Sequence, residues 1–257
     1  MVRARKRFGQ NFLIDQTIVD KIVGRFDGEQ TIVEIGPGRG ALTEGLLETG
    51  GQVIALELDR DLIPLLQKRF GHIKNFHLHQ ADALTFDFNS LADQAPLRLV
   101  GNLPYNVATP LIFRLLEHLP VITDMHFMLQ WEVAARLAAS AGDSNYGQLS
   151  VVMQNLCDTQ TLIEVPPTSF NPVPKVNSAV TKIAPRSEPL VPSKLQDHFQ
   201  TVVKTAFAQR RKTLRNNLKG LLDETAIEAA NVNPALRAEV LEISHFAALA
   251  ERLAKKP

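Results

Sequence analysis

Short β-branched runs alternate with helical patterns over the first 130 residues of this 257-residue chain. The first run, Thr31–Ile35, ends at the glycine-rich segment Gly36–Gly40, and a predicted helix then leads to a second run, Gln52–Glu57. We expect further strands at residues 75–80, 97–101 and 125–129. Alternation of this kind is typical of βαβ units, whose strands are parallel. The sequence therefore predicts an α/β fold with a mostly parallel sheet.

Two proline-rich segments, residues 166–174 and 185–192, interrupt the pattern in the second half of the chain. Proline fixes φ and removes a backbone donor, so neither segment fits inside a regular element. After the second segment the pattern is helical, with leucines on one stripe at positions 214, 218, 221 and 222. We predict an α/β domain over residues 1–186 and a small helical domain over residues 187–257.

The composition limits the class of protein. Hydrophobic residues make up 45% of the chain, which is enough for a sizeable core. The single cysteine, Cys157, excludes a disulfide scaffold and any multi-cysteine metal site. The longest uncharged stretch, Leu99–Phe113, contains two prolines and is shorter than the ~20 apolar residues that span a bilayer. We expect a cytoplasmic protein that binds neither a membrane nor a metal ion.

Basic residues are concentrated in two segments, although the net charge is only +1. Residues 1–14 contain four basic residues and no acid, and residues 198–222 contain six and no acid. Acid-free basic segments are typical of a protein that binds a polyanion with one face. Two solvated charged surfaces are the alternative, and charge alone does not decide between them. The candidate contacts are Arg5, Lys6, Arg7, Arg210, Arg211, Lys212 and Arg215.

The segment Gly36–Gly40 lies between a predicted strand and a predicted helix. Gly36 and Gly38 would let the backbone turn tightly and approach a ligand closely. Glycines also occur at such turns for packing alone, and that alternative stays open. The spacing G-x-G-x-G differs from the G-x-G-x-x-G dinucleotide pattern, and no Gly-Lys-Ser/Thr follows as in a phosphate-binding P-loop.

Acidic residues follow the next two predicted strands. Glu57 closes the second strand, where its carboxylate can accept both hydroxyls of a ribose. Asp82 follows the third strand, where it can accept a hydrogen bond from the exocyclic amine of an adenine. Each acid taken alone also fits a surface residue or a helix cap. Because strand ends of an open α/β sheet line one crevice, these residues together predict a nucleoside site of the S-adenosylmethionine type.

The tetrapeptide Asn102-Leu103-Pro104-Tyr105 follows the fourth predicted strand. The Asn102 side-chain carbonyl and a nearby backbone carbonyl can accept the two N–H bonds of a base amino group, which aims the nitrogen lone pair at an electrophile. The Tyr105 ring offers a face on which a flipped base can stack. Phe170, in the proline-rich loop 170–178, can clamp the other face of that base. The alternatives are a mere turn after a strand and a Phe170 ring buried in the core.

Five segments occur in an order that resembles a known family: Phe8–Leu13, Glu34–Thr43, Asn102–Tyr105, Phe170–Ser178 and Gln209–Arg215. The sequence is similar to the small-subunit ribosomal RNA adenine N6-dimethyltransferases, the KsgA family, from about residue 5 to at least residue 218. The resemblance implies a class I S-adenosylmethionine-dependent methyltransferase with a Rossmann-like, mostly parallel sheet and a small C-terminal helical domain. Residues 1–186 would then bind the cofactor and carry the catalytic residues, and residues 187–257 would contact RNA.

The same resemblance implies the substrate and partners. Members of the family transfer two methyl groups from S-adenosyl-L-methionine to N6 of each of two adjacent adenosines in the 3′-terminal hairpin loop of 16S rRNA. The cofactor product is S-adenosyl-L-homocysteine, and the RNA is part of a small ribosomal subunit precursor. We expect the same reaction here, without a metal cofactor and with a monomeric enzyme.

The family's functional positions can be matched to residues of this chain. The cofactor-binding positions correspond to Asn11, Leu13, Gly36, Gly38, Glu57, Asp82 and Asn102. The catalytic positions correspond to Asn102, Leu103, Pro104, Tyr105 and Phe170. The basic residues named above stay the RNA-binding candidates, because they form acid-free runs. Trp131 is a departure, since the family has a lysine there, and a backbone contact to RNA would be lost or replaced by stacking.

Three other functions stay open at this stage. A large-subunit rRNA adenine dimethyltransferase of the erythromycin-resistance type shares the N-terminal motif, but residues 170–178 and 209–215 favour the small-subunit type. A non-catalytic RNA-binding assembly factor with this fold is disfavoured by the intact Asn102–Tyr105 segment and by Glu57. A nicotinamide-dependent oxidoreductase is disfavoured by the glycine spacing together with Asp82.

Overall fold

The computed structural model describes residues 10–256, so the predicted RNA contacts Arg5, Lys6 and Arg7 lie outside the described residues. The strands of the described part are β1 (Phe12–Leu13), β2 (Thr31–Ile35), β3 (Gln52–Glu57), β4 (Phe76–Gln80), β5 (Leu97–Asn102), β6 (Ile122–Gln130), β7 (Cys157–Val165), β8 (Phe170–Asn171) and β9 (Ser178–Pro185). The α-helices are α1 (Gln16–Val23), α2 (Ala41–Glu48), α3 (Ile63–Phe70), α4 (Tyr105–Leu115), α5 (Trp131–Ala138), α6 (Gln148–Leu156), α7 (Gln196–Ala206), α8 (Leu214–Asn217), α9 (Glu224–Glu228) and α10 (Ile243–Ala254). Short 3-10 helices occur at Phe88–Gln94, Leu116–Val121, Pro167–Ser169, Ser193–Leu195 and Ala238–Val240. Within residues 10–256, no helix has the length and apolar character that a membrane crossing requires.

A seven-stranded sheet forms the centre of the fold, in the order β4-β3-β2-β5-β6-β9-β7. The pairs among β2, β3, β4, β5 and β6 are parallel, and β9 runs antiparallel to β6. The predicted α/β architecture with a mostly parallel sheet is confirmed. The chain leaves β2 toward β3 and β4 on one side and later returns to β5 on the other side. The crevice at such a reversal of strand order is where ligands of open α/β sheets bind.

The central strands are buried on both faces, as is usual for parallel strands covered by helices. Val33 of β2, Val53 of β3 and Leu99 of β5 are all fully buried. Helices α1, α2 and α3 contribute Ile22, Leu46 and their neighbours to the same hydrophobic cluster as strand residues of β2 and β3. Each such side chain contributes about 1.5–3 kcal/mol through burial, so this cluster holds the strand ends rigidly in register.

Two very short strands connect distant parts of the sequence. Phe12 of β1 pairs with Asn171 of β8, and Leu13 pairs with Phe170, in an antiparallel register. The side chains of Phe12, Leu13 and Phe170 are buried in the same hydrophobic cluster. The Ile14 N–H also donates to the Ser169 carbonyl at 2.9 Å. The N-terminal motif and the proline-rich loop are therefore joined, although more than 150 residues separate them in the sequence.

The described residues divide into two compact units. The first unit comprises residues 10–134 and 160–185, and the second comprises residues 135–159 and 186–256. One division between the units falls after residue 185, and residues 135–159 group with the C-terminal residues. Asn155 of α6 links residues 135–159 to that group, because it is 1% exposed and its side chain bonds to the Val191 N–H and the Gln196 side chain, both at 2.9 Å.

A buried ion pair lies in the first unit. The Arg98 guanidinium on β5 donates two hydrogen bonds to the Asp124 carboxylate on β6, at 2.7 and 2.9 Å. The His126 ring and the Lys182 ammonium also lie near that carboxylate, at 3.2 and 3.6 Å. Burial alone would raise the pKa of Asp124, but the hydrogen bonds and charges of His126 and Arg98 outweigh it and hold the pKa well below its usual range.

Replacing Arg98 by methionine should destabilise the protein by about 3 kcal/mol, because the buried Asp124 carboxylate loses its bidentate partner. Urea denaturation measures this change. The control is Arg114→Met, which removes an ion pair to Glu117 at the helix surface and should cost about 0.5 kcal/mol or less. Equal effects of the two substitutions would contradict a structural role for the buried pair.

Candidate active site

The carboxyl ends of β2, β3, β4 and β5 border a cleft in the first unit, which we call the carboxyl-edge cleft. It is lined by every predicted cofactor-binding residue: Asn11, Leu13, Gly36, Gly38, Glu57, Asp82 and Asn102. The next three residues of the predicted tetrapeptide, Leu103, Pro104 and Tyr105, line it as well. The parallel topology thus brings the residues of several separate motifs together, and the local geometry indicates what each can do.

The loop after β2 adopts a conformation that glycine accommodates best. Gly36 and Gly38 have φ of +67° and +60°, a region that side chains with a Cβ rarely adopt. A Cβ placed on Gly36 would meet no atom within 4 Å, so it would project into open space at the cleft. A Cβ on Gly38 would lie 3.2 Å from the Phe12 ring. The backbone here therefore lies open to a ligand while packing against the N-terminal segment.

The Glu57 carboxylate is anchored by two backbone amides. One oxygen accepts the Gly38 N–H at 3.1 Å, and the other accepts the Asp59 N–H at 2.8 Å. Glu57 is 5% exposed, and burial raises its pKa, while the bonds from Asp59 and Gly38 act in the opposite direction. Each oxygen keeps a further lone pair, so the fixed carboxylate can accept two hydroxyls of one ligand.

Asp59 is a cleft residue that the sequence analysis missed. It is almost fully buried, and its carboxylate accepts from the Gln10 amide at 3.1 Å and from the Asp61 N–H at 3.2 Å. These bonds connect the loop after β3 to the N-terminal segment. The Glu-x-Asp spacing was the available signal, because residues two apart in extended chain point the same way.

Asp82 lies just beyond β4 and is half-buried. Its Oδ1 accepts the Leu84 N–H at 2.9 Å, which fixes the turn and the direction of the side chain. A carboxylate held by one backbone donor can still accept an amine hydrogen through its other oxygen. Within residues 10–256, no cluster of three or more His, Cys, Asp or Glu side chains is arranged to hold a metal ion.

The Asn102 amide has a defined orientation. Its Nδ2 donates to the backbone carbonyl of Asn11 at 2.8 Å. A carbonyl oxygen can only accept, so the amide nitrogen must face Asn11 and the side-chain oxygen must face the other way. Asn102 is half-buried at the cleft. It therefore presents a pre-oriented hydrogen-bond acceptor at the cleft.

Tyr105 is held at the same edge by its hydroxyl. The Tyr105 hydroxyl and the Ser178 hydroxyl lie 2.9 Å apart, within hydrogen-bond distance. The ring is half-buried and lines the cleft. Helix α4 begins at Tyr105 and accommodates Pro110 in its interior. Leu103 is 1% exposed, so its side chain supports the tetrapeptide from the core.

Known proteins match this chain over nearly its whole length. The family model described as ribosomal RNA adenine dimethylase matches residues 1–255. The ribosomal RNA small subunit methyltransferase A of Pseudomonas aeruginosa is 54% identical, over 99% of this chain and 96% of the relative. The chain belongs to the ribosomal RNA adenine dimethylase family. This result confirms the resemblance drawn from the sequence motifs.

Solved structures of the same kind resemble this dimethylase. A dimethyladenosine transferase from Plasmodium falciparum matches with a TM-score of 0.79 and 26% identity, over 93% of this chain and 95% of that chain. The 23S rRNA methyltransferase ErmE matches with a TM-score of 0.74 and 26% identity, over 95% of this chain and 100% of that chain. The predicted class I methyltransferase fold is confirmed by these similarities together with the sheet topology.

Phe170 is buried in the hydrophobic core, which is the alternative interpretation of the sequence. It is 1% exposed, pairs with Leu13 through β8 and belongs to the same hydrophobic cluster as Phe12 and Leu13. It is not among the residues that line the carboxyl-edge cleft. A ring buried to this extent offers no face to a base, so stacking by Phe170 would require its side chain to leave the core.

The predicted RNA contacts of the second unit are exposed: Arg210, Arg211, Lys212 and Arg215. The run is free of acid in the sequence but not in space. The Arg210 guanidinium lies 3.3 Å from the Glu239 carboxylate and also donates to the Ser144 carbonyl. Arg210 is therefore partly neutralised, and we expect Arg211, Lys212 and Arg215 to carry more of any attraction to phosphates.

Glu34 is a second cleft residue with a role that sequence reasoning did not predict. It lies on β2, is 1% exposed and accepts the Thr43 hydroxyl at 2.6 Å. Burial raises its pKa to about 7, with the Thr43 hydrogen bond acting against the rise and the Glu57 charge adding to it. The carboxyl therefore changes its protonation near neutral pH.

Glu34 should make the stability of the dimethylase depend on pH. Between pH 4.5 and about 7 the native state keeps a proton that the unfolded chain releases, so the wild-type protein loses up to about 3 kcal/mol over this range. Glu34→Gln removes this contribution. Urea denaturation of both proteins at pH 5 and pH 8 should show that the free energy of unfolding of the variant increases relative to that of the wild type as pH rises. A difference that does not change with pH would contradict the raised pKa.

Proposed function

We propose that this dimethylase transfers methyl groups from S-adenosyl-L-methionine to N6 of adenines in small-subunit ribosomal RNA. The observation that carries the proposal is the pre-oriented acceptor of Asn102, beside a cleft whose carboxylates suit a nucleoside. Family membership and 54% identity to a small-subunit methyltransferase support the choice of reaction and of RNA. The finer proposal is two methyl groups on each of two adjacent adenosines in the 3′-terminal hairpin loop of 16S rRNA. We further propose that the enzyme acts as a monomer, in the cytoplasm, on a small-subunit precursor.

The residues of the carboxyl-edge cleft fit S-adenosylmethionine. Gly36 leaves open a position that any Cβ would fill. We assign the ribose hydroxyls to Glu57 and the adenine amine to Asp82, because each carboxylate is fixed by backbone donors and keeps free lone pairs. We assign the methionine end of the cofactor to Asn11, Leu13 and Gly36, which also line the cleft. Bound there, the cofactor supplies a methyl group that its positively charged sulfur already activates.

Positioning accounts for most of the work that the protein residues do. In the first transfer the Asn102 carbonyl oxygen accepts one hydrogen of the adenine amine, and a backbone carbonyl of the same tetrapeptide accepts the other. In the second transfer, after a methyl group has replaced one hydrogen, only one of these hydrogen bonds remains. The nitrogen lone pair is then aimed along a fixed direction. Tyr105 provides the stacking face for the base, with its hydroxyl anchored to Ser178. Pro104 is the N-cap residue of α4 and lies between Asn102 and Tyr105 at the same edge.

Methyl transfer to defined RNAs tests the proposal. Small subunits lacking the modification are incubated with labelled S-adenosylmethionine beside large-subunit RNA, and nucleosides are identified by mass spectrometry. We expect N6,N6-dimethyladenosine in the small subunit alone. Product confined to large-subunit RNA would instead favour a large-subunit dimethyltransferase of the erythromycin-resistance type. The structural similarity with ErmE would then be the better guide to the function. Cofactor binding without product on either RNA would favour a non-catalytic assembly factor.

Glu57→Ala should weaken S-adenosylmethionine binding by at least about tenfold, because a charged acceptor for the ribose is lost. Isothermal titration calorimetry measures the dissociation constant. Glu57→Gln, which keeps one acceptor oxygen, should fall between the alanine variant and the wild type. Unchanged cofactor affinity in a folded Glu57→Ala protein would count against assigning the ribose to this residue.

Tyr105→Ala should instead slow methyl transfer by about tenfold or more while leaving cofactor affinity nearly unchanged, since it removes a base–aromatic stack. Single-turnover kinetics with unmodified small subunits separate these effects. Tyr105→Phe is the matched control, because it keeps the ring and loses only the bond to Ser178. If the alanine and phenylalanine variants behave alike, the ring does not hold the base.

Neutralising Arg211, Lys212 and Arg215 together should weaken binding to small-subunit particles and reduce its salt dependence. Each phosphate contact contributes about 0.7–0.9 to the slope of log K against log salt, so we expect the slope to fall by about 2. Lys194→Gln, an exposed lysine of the second unit outside the run, serves as the control. Identical affinity and salt slope in the triple variant would exclude these residues as phosphate contacts.

A further inference from the structure

Trp131 is the only tryptophan of the chain, and it is 43% exposed. Its indole makes no stacking contact with an aromatic ring or a guanidinium group of residues 10–256. A tryptophan usually contributes to a fold by burying its large ring. Much of this ring contributes nothing to the core, so its surface is available to a partner.

The position of Trp131 connects it to the proposed site of methyl transfer. Trp131 directly follows β6, and Met128 of that strand is the register partner of Asn102. The Trp131 backbone N–H donates to the Asn177 carbonyl at 2.9 Å. The next residue, Ser178, is the hydrogen-bond partner of Tyr105. Trp131 and Tyr105 are therefore bound to consecutive residues of one chain segment.

The surroundings of Trp131 favour a base over a phosphate. The adjoining loop, residues 172–177, exposes Val173 and Val176 and carries one cation, Lys175, and no acid. A flat, exposed aromatic ring beside a loop with two exposed valines is suited to stacking on an unpaired base, which needs no sequence-specific hydrogen bond.

We propose that Trp131 stacks on an unpaired base of the RNA strand that carries the target adenosine, close to the base held at Tyr105. This inference rests on the proposed function, because it assumes an RNA substrate at the carboxyl-edge cleft. Trp131 is a positioning residue here and does not touch the reacting atoms. Its loss should weaken RNA engagement by about tenfold, as for other base–aromatic stacks, without changing cofactor affinity.

Intrinsic fluorescence tests the contact directly, since Trp131 is the single tryptophan. The wild-type protein is titrated with a short RNA hairpin whose adenosines are unpaired in the loop, and with a fully base-paired duplex of matched length. We expect saturable quenching by the hairpin and none by the duplex. Binding of the hairpin, measured independently by filter retention, without any change in fluorescence would overturn the proposal.

Kinetics separate positioning from a structural role. Trp131→Ala should raise KM for unmodified small subunits about tenfold with little change in kcat, and Trp131→Phe should restore most of the loss because it keeps a stacking ring. Leu190→Ala is the matched control, an exposed apolar residue of the second unit that is 53% exposed. Equal KM values for the alanine variant and the wild type would overturn the proposal, as would an alanine variant whose cofactor affinity falls in parallel.

The two hypotheses fail in different ways. Wild-type enzyme that forms N6,N6-dimethyladenosine but shows no fluorescence response and no effect of Trp131→Ala leaves the proposed function standing and removes the stacking contact. Wild-type enzyme that forms no product on small subunits removes the proposed function. In that case quenching by the hairpin still decides whether Trp131 contacts an unpaired base.

Discussion

The buried carboxylate of Glu57 fixes the geometry on which the rest of the cleft depends. One oxygen accepts the Gly38 N–H and the other accepts the Asp59 N–H, so a single side chain joins the loops that follow β2 and β3. Neither amide belongs to a helix or a strand, and a buried donor without a partner costs about 1–3 kcal/mol. The positive-φ turn at Gly38 and the orientation of the carboxylate toward the cleft both follow from this arrangement.

The sheet and its functional edge were predictable because parallel strands place their carboxyl ends together. The strands at 31–35 and 52–57 occur as predicted, and the strand predicted at 97–101 ends at Asn102. Once strand boundaries are known, the residues that follow them must meet, which is why Glu57, Asp82 and Asn102 line one cleft. Hydrophobic periodicity and strand ends can both be inferred from a single sequence. The sequence alone is therefore sufficient to predict which residues lie at this edge of the sheet.

Other features depend on contacts that no local pattern records. Strands β1 and β8 have two residues each, too few for any periodicity, yet their pairing buries Phe170, which the motif had suggested for base stacking. Residues 135–159 join the second unit through the buried amide of Asn155 and not through a stretch of linker composition. Likewise Glu239 reaches Arg210 from nearly thirty residues away, so a run without acids in sequence is not free of them in space.

The chemistry of the cleft is limited by hydrogen bonds that its polar groups already make. Glu34 is bound to the Thr43 hydroxyl, and both oxygens of Glu57 accept backbone amides. Asn102 is not a base, so its contribution is the direction in which it presents an acceptor. That direction is set by the hydrogen bond to the Asn11 backbone carbonyl, which is uncharged and does not titrate. An aspartate at position 102 would have the same shape, but its carboxylate has no N–H and would place a lone pair against the Asn11 carbonyl oxygen. An aspartate is therefore not a substitute for Asn102, although it is an equally good acceptor.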